Sequence, residues 1–233
     1  MNIIYPSIVN ISSMFIMMLI YLYLYVLYSE SYMLVCLISW LIYFFRTIFF
    51  DSQMVWTQST IAFIGFQTMS ISSALLFTHG TLNLVGRKMP KYWLYAAVGA
   101  LSLGTTLDLL QYSILYKTYP FILFCGLIYM FTGITLIRHL KLTEIGKMTT
   151  GYACILWGIH SFDMPLLSSI DWIVPLGYLI SGLLRLTIAL GVLLVYFEKT
   201  KKDYIKETQY RLLADNAVDV IYRYKTLPDP KFE

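Results

Sequence analysis

Leu156–Tyr178 reads LWGIHSFDMPLLSSIDWIVPLGY. His160 and Asp163 stand near the end of one apolar run, Pro165 is expected to break it, and Ser168, Ser169 and Asp171 to turn the chain into the next. An ionisable side chain is costly in lipid, so inside an apolar segment it usually faces a protein interior or a cavity and has a partner. The stretch therefore reads as a polar corner joining two membrane helices.

The rest of the chain agrees with that setting. Hydrophobic residues make up 58% and charged residues 13%, against about 25% charged in an ordinary soluble domain, and mean hydropathy is +0.68. Such a composition predicts an integral membrane protein in the cell membrane. The first 197 residues hold only nine Lys or Arg and six Asp or Glu, whereas Glu198–Glu233 alternates acids and bases densely. The formal charge of +4 comes largely from loops and tail and marks topology, so no nucleic-acid partner is expected. No Lys or Arg precedes Arg46, so a basic signal-peptide head is missing and the first apolar segment is expected to be retained. Cys36, Cys125 and Cys154 all fall in apolar segments and read as small hydrophobes.

A helix needs about 20 apolar residues to cross the hydrocarbon core. Seven segments meet that length: Ser7 to Tyr28, Tyr32 to Phe50, Val55 to Thr78, Tyr92 to Tyr112, Thr118 to Ile137, Lys147 to Leu167 and Trp172 to Phe197. The fold class is accordingly all-α, a seven-helix transmembrane bundle over residues 1–197. Arg87, Lys88 and Lys91 precede the fourth segment, Arg138, Lys141 and Lys147 surround the fifth connection, and Lys199, Lys201 and Lys202 follow the seventh. With seven spans these groups share one side. The positive-inside rule makes that side cytoplasmic, with the N-terminus outside and the C-terminus inside. Tyrosines at segment ends, such as Tyr21, Tyr23, Tyr25, Tyr28 and Tyr32, read as an interfacial belt.

Past Phe197 the residues favour a helix without a breaker, so residues 198–212 are expected to extend the seventh helix as a cytoplasmic signalling helix. Ile205 and Leu212, seven apart, permit a coiled-coil seam. Asp219–Tyr224, DVIYRY, alternates like a strand, and TLPDP supplies a turn after it.

Four full charges fall within the apolar segments: Arg46, Asp108, Asp163 and Arg185. With the expected topology Arg46, Asp108, His160 and Asp163 lie in the outer half and lean toward the membrane middle, because a helical side chain tilts toward its own N-terminus. Arg185 lies about 20 Å along its helix from Trp172 and leans outward, so it is expected to meet Asp108 or Asp163. Small and polar stripes accompany these groups: Tyr178, Ser181, Gly182, Arg185 and Ala189; Gly104, Thr105, Asp108 and Gln111; and, more weakly, Gln67 and Ser70, with Gln58 nearer the outer end. Small residues let helices approach, so the stripes should face the bundle. The candidate cluster is thus Arg46, Gln58, Gln67, Asp108, Gln111, Trp157, His160, Asp163 and Arg185. Two readings of it stand side by side: buried ion pairs that fix packing, or a pocket for a small or amphiphilic ligand. His160 also keeps pH sensing open.

Other chemistries lack their residues. A retinal protein needs a Schiff-base lysine, and none lies between Trp172 and Glu198. His79 and His139 sit at the opposite ends of their helices from His160, which disfavours a bis-histidine haem. No H-E-x-x-H pattern, serine-nucleophile motif or phosphate loop occurs. No catalytic residue, metal or cofactor is expected in these residues.

Two regions resemble known proteins. Tyr210–Glu233, YRLLADNAVDVIYRYKTLPDPKFE, resembles the opening of a PAS domain, with residues 213–233 its truncated α/β start. WGIHSFDMPLL followed by WIVPLGY is similar to a pattern in the N-terminal seven-helix regions of bacterial and archaeal proteins that continue into PAS domains. Trp157, Gly158, His160, Asp163 and Pro165 fill that pattern, and Met164 stands where an aromatic is usual. The resemblance implies the membrane sensor of a signalling protein, a sensor histidine kinase first and a diguanylate cyclase second. It further implies a homodimer joined through the cytoplasmic helix in the lipid bilayer, with an unknown small-molecule ligand. A transporter or a lipid-modifying enzyme is the alternative from another class.

Overall fold

A computed structural model describes residues 4–51, 57–140, 144–167 and 173–226, and these are helical apart from short connections. Seven helices follow in order: α1 (Ile4–Tyr28), α2 (Ser31–Arg46), α3 (Thr60–Leu84), α4 (Tyr92–Leu109), α5 (Ile114–His139), α6 (Glu144–Leu167) and α7 (Ile173–Thr226). A π-helical turn, Thr47–Asp51, continues α2. Five helices, all but α4 and α6, are long and apolar enough to cross a membrane.

Successive helices run antiparallel. Six of them close a ring in the order α1, α2, α3, α5, α6, α7, and α4 packs outside it against α3 and α5. The ring is inside-out relative to a soluble bundle. Ile61, Val26, Tyr95 and Val98 are more than half exposed, whereas Ser39, Gln67, Thr78, Thr132 and Arg185 are buried. An apolar exterior suits hydrocarbon, and internally satisfied helices are what hydrocarbon permits. The buried hydroxyls bond across helices: Ser39 donates to the Ser73 carbonyl at 2.8 Å, and Thr78 and Thr132 share a 2.8 Å bond.

Glycines set the closest packing. Gly126 and Gly133 on α5 face Gly158 and Gly151 on α6, and a Cβ at any of the four would press on the opposite helix. The two pairs are seven residues apart on each helix, two turns, so they fall on one seam. On α7, Gly191 lies against Thr150, and Gly146 of α6 lies against the Val195 backbone.

Several boundaries differ from those expected. α3 starts at Thr60, not Val55, because Ser59 is extended and its hydroxyl accepts from the Ala62 N–H at 3.2 Å, capping the helix there. α5 starts at Ile114, one turn before Thr118. α6 runs through Pro165 to Leu167 rather than breaking at it; in the last turn a proline removes one hydrogen bond and two residues can still follow. The turn expected at Ser168, Ser169 and Asp171 lies outside the described residues, as do residues 227–233.

Asp219–Tyr224, expected as a strand, continues α7, which is unbroken across Phe197 and Leu212. A strand must pair its N–H and C=O groups with a neighbour, and there is no strand among the described residues. A helix satisfies those groups by itself.

Candidate functional site

The charges expected to converge separate into three groups, two at the end of the bundle where α2, α4 and α6 finish and α3, α5 and α7 begin, and one deeper, at the bundle middle. In the first, Asp108 in the last turn of α4 accepts from the Lys117 ammonium at 2.5 Å, and the two side chains are 7% and 13% exposed. Lys117 also lies 4.9 Å from the Phe63 ring centroid. Breaking a pair this buried strands a charge, which typically costs about 3–5 kcal/mol. Lys117 reads as a loop charge in the sequence; the earlier start of α5 brings it into the first turn, opposite Asp108.

In the second group, His160 bridges α6 to α7. Its Nδ1 is 3.0 Å from an Asp163 carboxylate oxygen and its Nε2 is 3.0 Å from the Gly177 carbonyl oxygen. One ring nitrogen thus meets the backbone of α7 while the other sits beside the carboxylate one turn on in α6. His160 is buried, while Asp163 is half exposed.

The third group is the centre of the ring, where four helices meet in stacked aromatic rings. Trp157 of α6 stacks on Trp40 of α2 (centroids 5.6 Å, 15°) and on Tyr129 of α5 (4.1 Å, 21°). Phe77 of α3 meets Trp40 and Tyr129 edge-on. Each such pair adds about 0.5–1.5 kcal/mol beyond its buried area. α7 contributes Arg185, which is 2% exposed and donates to the Ser181 hydroxyl one turn earlier. Its guanidinium carbon lies 5.2 Å from the Tyr43 ring centroid and 5.6 Å from that of Trp157. Arg46, from the end of α2, reaches the same tyrosine at 4.3 Å, lies 4.8 Å from Phe66 and donates to Ser70 at 3.3 Å.

Two guanidiniums around one ring are no more than about 10 Å apart, where an effective dielectric of about 20 leaves roughly 2 kcal/mol of mutual repulsion. Ser70 lies ten residues into α3, so Arg46 leans toward the bundle middle, about 15 Å below the start of that helix.

Arg185 was expected to meet Asp108 or Asp163; those acids have Lys117 and His160 as partners, and the contacts described for Arg185 are with Ser181, Tyr43 and Trp157. Three further residues stand apart. Gln58 is exposed in the turn before α3, displaced from the helix by the Ser59 cap. Gln111 is exposed just beyond α4 with φ +59°. The Gln111 N–H bonds to the Asp108 carbonyl and the Tyr112 N–H to the Leu107 carbonyl, the Schellman pattern that usually takes glycine at this position. Gln67 is wholly buried against Gly104 of α4, and neither end of its amide has a hydrogen-bond partner among the described residues.

Ser181, Gly182, Arg185 and Ala189 are buried on α7, and Gly104 and Asp108 on α4. Sequence reasoning missed Tyr43, Trp40 and Tyr129, whose signal is lost among 39 Tyr, Phe and Trp residues, and Lys117. Among the described residues no three His, Cys, Asp or Glu gather to hold a metal.

The opposite end holds a collar around α7. Glu198 accepts from the Gly146 N–H at 3.3 Å, Lys199 pairs with Glu30 at 3.5 Å and lies 5.5 Å from the Tyr32 ring, and Tyr196 packs on Tyr28 with centroids 4.1 Å apart. The exposed Lys199–Glu30 pair alone is worth about 1 kcal/mol at most; the rings and Gly146 complete the grip.

An all-helical bundle, apolar outside and polar within, with five helices of membrane-crossing length and composition, defines a helical membrane protein. No family model, curated protein or solved structure matches the chain.

Proposed function

We propose that the chain is the membrane input module of a signal-transducing protein. Seven helices cross the cell membrane, with the N-terminus outside; the Asp163 end faces outward and the Lys199 collar faces the cytoplasm. A small or amphiphilic ligand is detected in the outer half and its effect passes along α7. The observation that carries this reading is α7 itself. Over 54 unbroken residues, about 80 Å, it links Arg185 in the aromatic centre to an exposed, highly charged segment beyond the collar. An apolar residue in place of a buried charge is often no less stable, so a buried arginine at the head of that rod speaks for function rather than packing.

The downstream partner, on the resemblance of Tyr210–Glu233, is a PAS domain, and the most fitting output is a histidine kinase, with a diguanylate cyclase second. In that setting Asp219–Tyr224 would change from helix to strand once the rest of a sheet is there to pair with it. The exposed Ile205 and Leu212 form the seam of a homodimer.

The test is to replace His160, Asp163 or Arg185 singly in the gene as it stands in its own genome. Kinase or cyclase activity is then read in isolated membranes. Altered output from protein still present in the membrane supports the reading, and unchanged output from all three under varied growth conditions removes it.

A further inference from the structure

We propose that the step at the start of α4 seats the headgroup of an anionic phospholipid, held by Arg87, Lys88, Lys91 and Arg138. The proposal goes beyond the sensor reading and does not rest on it. Its basis is a mismatch of helix lengths. α3 and α5 have 25 and 26 residues, about 38 Å, whereas α4 has 18, about 27 Å. The three are level at one end, because Asp108 in the last turn of α4 bonds to Thr60, the first residue of α3, and to Lys117 in the first turn of α5. The shortfall of about 10 Å therefore falls at the other end. Ring contacts agree. Trp93, the second residue of α4, packs on Phe124 and Phe131, and α5 continues for eight residues past Phe131, about 12 Å. The length of α4 is close to the hydrocarbon thickness of about 30 Å. Its start thus lies where lipid phosphates begin, and the last turns of α3 and α5 stand beyond it.

Cations surround this step. α3 ends in a Schellman turn at Gly86 (φ +72°), where the Gly86 and Arg87 N–H groups bond to the Asn83 and Leu82 carbonyls, and the chain then passes through Lys88 to Lys91. All three basic residues are exposed. Arg138, also exposed, is seven residues beyond Phe131, so it falls on the same stripe of α5 two turns further on. None of the four has an acidic partner among the described residues. Arg87 and Lys88 sit well beside the carbonyl end of α3, but Lys91 stands at the positive end of α4, whose first turn holds no acid, where an anion is the favoured neighbour. At the depth of the headgroups the anion at hand is a phosphodiester, and basic residues there add to the attraction one by one. Tyr92 and Tyr95, exposed at the start of α4, belong to the residue types that favour this layer.

The whole chain, purified in dodecyl maltoside, is titrated by calorimetry with dioctanoyl phosphatidylglycerol, dioctanoyl phosphatidylcholine and inorganic phosphate. Phosphatidylglycerol should bind at least about tenfold more tightly than the other two, the ratio that two or more basic residues bring to an anionic lipid. Arg87→Gln/Lys88→Gln/Lys91→Gln should abolish that preference without lowering the unfolding temperature, and Lys91→Gln alone should reduce it about fivefold. The single variant carries the test if the triple one does not fold. Lys201→Gln/Lys206→Gln/Arg211→Gln removes the same charge from exposed residues of α7 and should leave the preference intact. Equal affinity for the two lipids would overturn the proposal, as would an unchanged preference in the folded loop variants. An equal loss in the α7 variant would overturn it in favour of net charge, and inorganic phosphate binding as tightly as phosphatidylglycerol in favour of a free anion. Binding read this way needs no output domain, so it stands or falls separately from the signalling test.

Discussion

A Cβ added at Gly158 would stand 2.6 Å from the carbonyl oxygen of Gly126, so α5 and α6 touch backbone to backbone where these residues cross. Gly133 and Gly151 repeat the contact two turns away. In lipid, where apolar side chains gain little by leaving their neighbours, such close packing is a main source of helix association.

Gly158→Ala should therefore destabilise the bundle by about 1–3 kcal/mol, the usual cost of overpacking. Gly99, on the outer face of α4 with nothing near it, is the control. Gly99→Ala should be neutral or stabilising by up to about 1 kcal/mol, since alanine is the better helix former. Unfolding in detergent, followed by tryptophan fluorescence, compares the two, and equal effects would dismiss the glycine seam.

Gln67 is buried with its amide unmatched among the described residues. Replacing it with leucine removes a desolvated polar group and keeps the volume, which should raise stability by about 1–2 kcal/mol. A fall in stability of that size would mean the amide has a partner, such as bound water, that the substitution strands.

Lys117→Met leaves the buried Asp108 carboxylate without its cation, with only the Thr60 hydroxyl beside it, and should cost about 3 kcal/mol, while the double variant Asp108→Leu/Lys117→Met should recover most of it. A double-mutant cycle on unfolding free energies makes the comparison. Additive losses would show that the 2.5 Å contact contributes nothing as a pair.

Cysteine placed at Ile205 or Leu212, both exposed on α7, should give crosslinked dimers in native membranes if the proposed seam forms. Positions 204 and 213 serve as off-seam references. Crosslinking no stronger at the seam than at those references would argue for a different face or a monomer.

The apolar segments are legible because about twenty consecutive apolar residues have few other uses, and five of the seven helices have the length and composition of a span. Their ends were less so. Ser59 moved the start of α3 through a single cap bond, and Gln111 closes α4 in a left-handed conformation that sequence patterns assign to glycine. The one-turn error at the start of α5 had a direct consequence: it left Lys117 in a loop and freed Asp108 to be matched with Arg185. Side-chain tilt sets which way a residue such as Arg46 leans, yet tilt cannot choose among partners on a ring whose neighbour order is unknown. With α4 placed outside the ring, Asp108 stands next to α5 rather than α7. The glycines at 126, 133, 151 and 158 carry a readable seven-residue spacing, whereas Tyr43 has no mark to separate it from the other tyrosines.

The collar that Gly146, Glu30 and Tyr32 make around Glu198 and Lys199 divides α7 into unequal arms. From Lys199 to Arg185 is about 21 Å along the axis and from Lys199 to Thr226 about 40 Å. A rod pivoting there works as a lever: a sideways shift of the arginine would reappear at the far end in the opposite direction and at about twice the size.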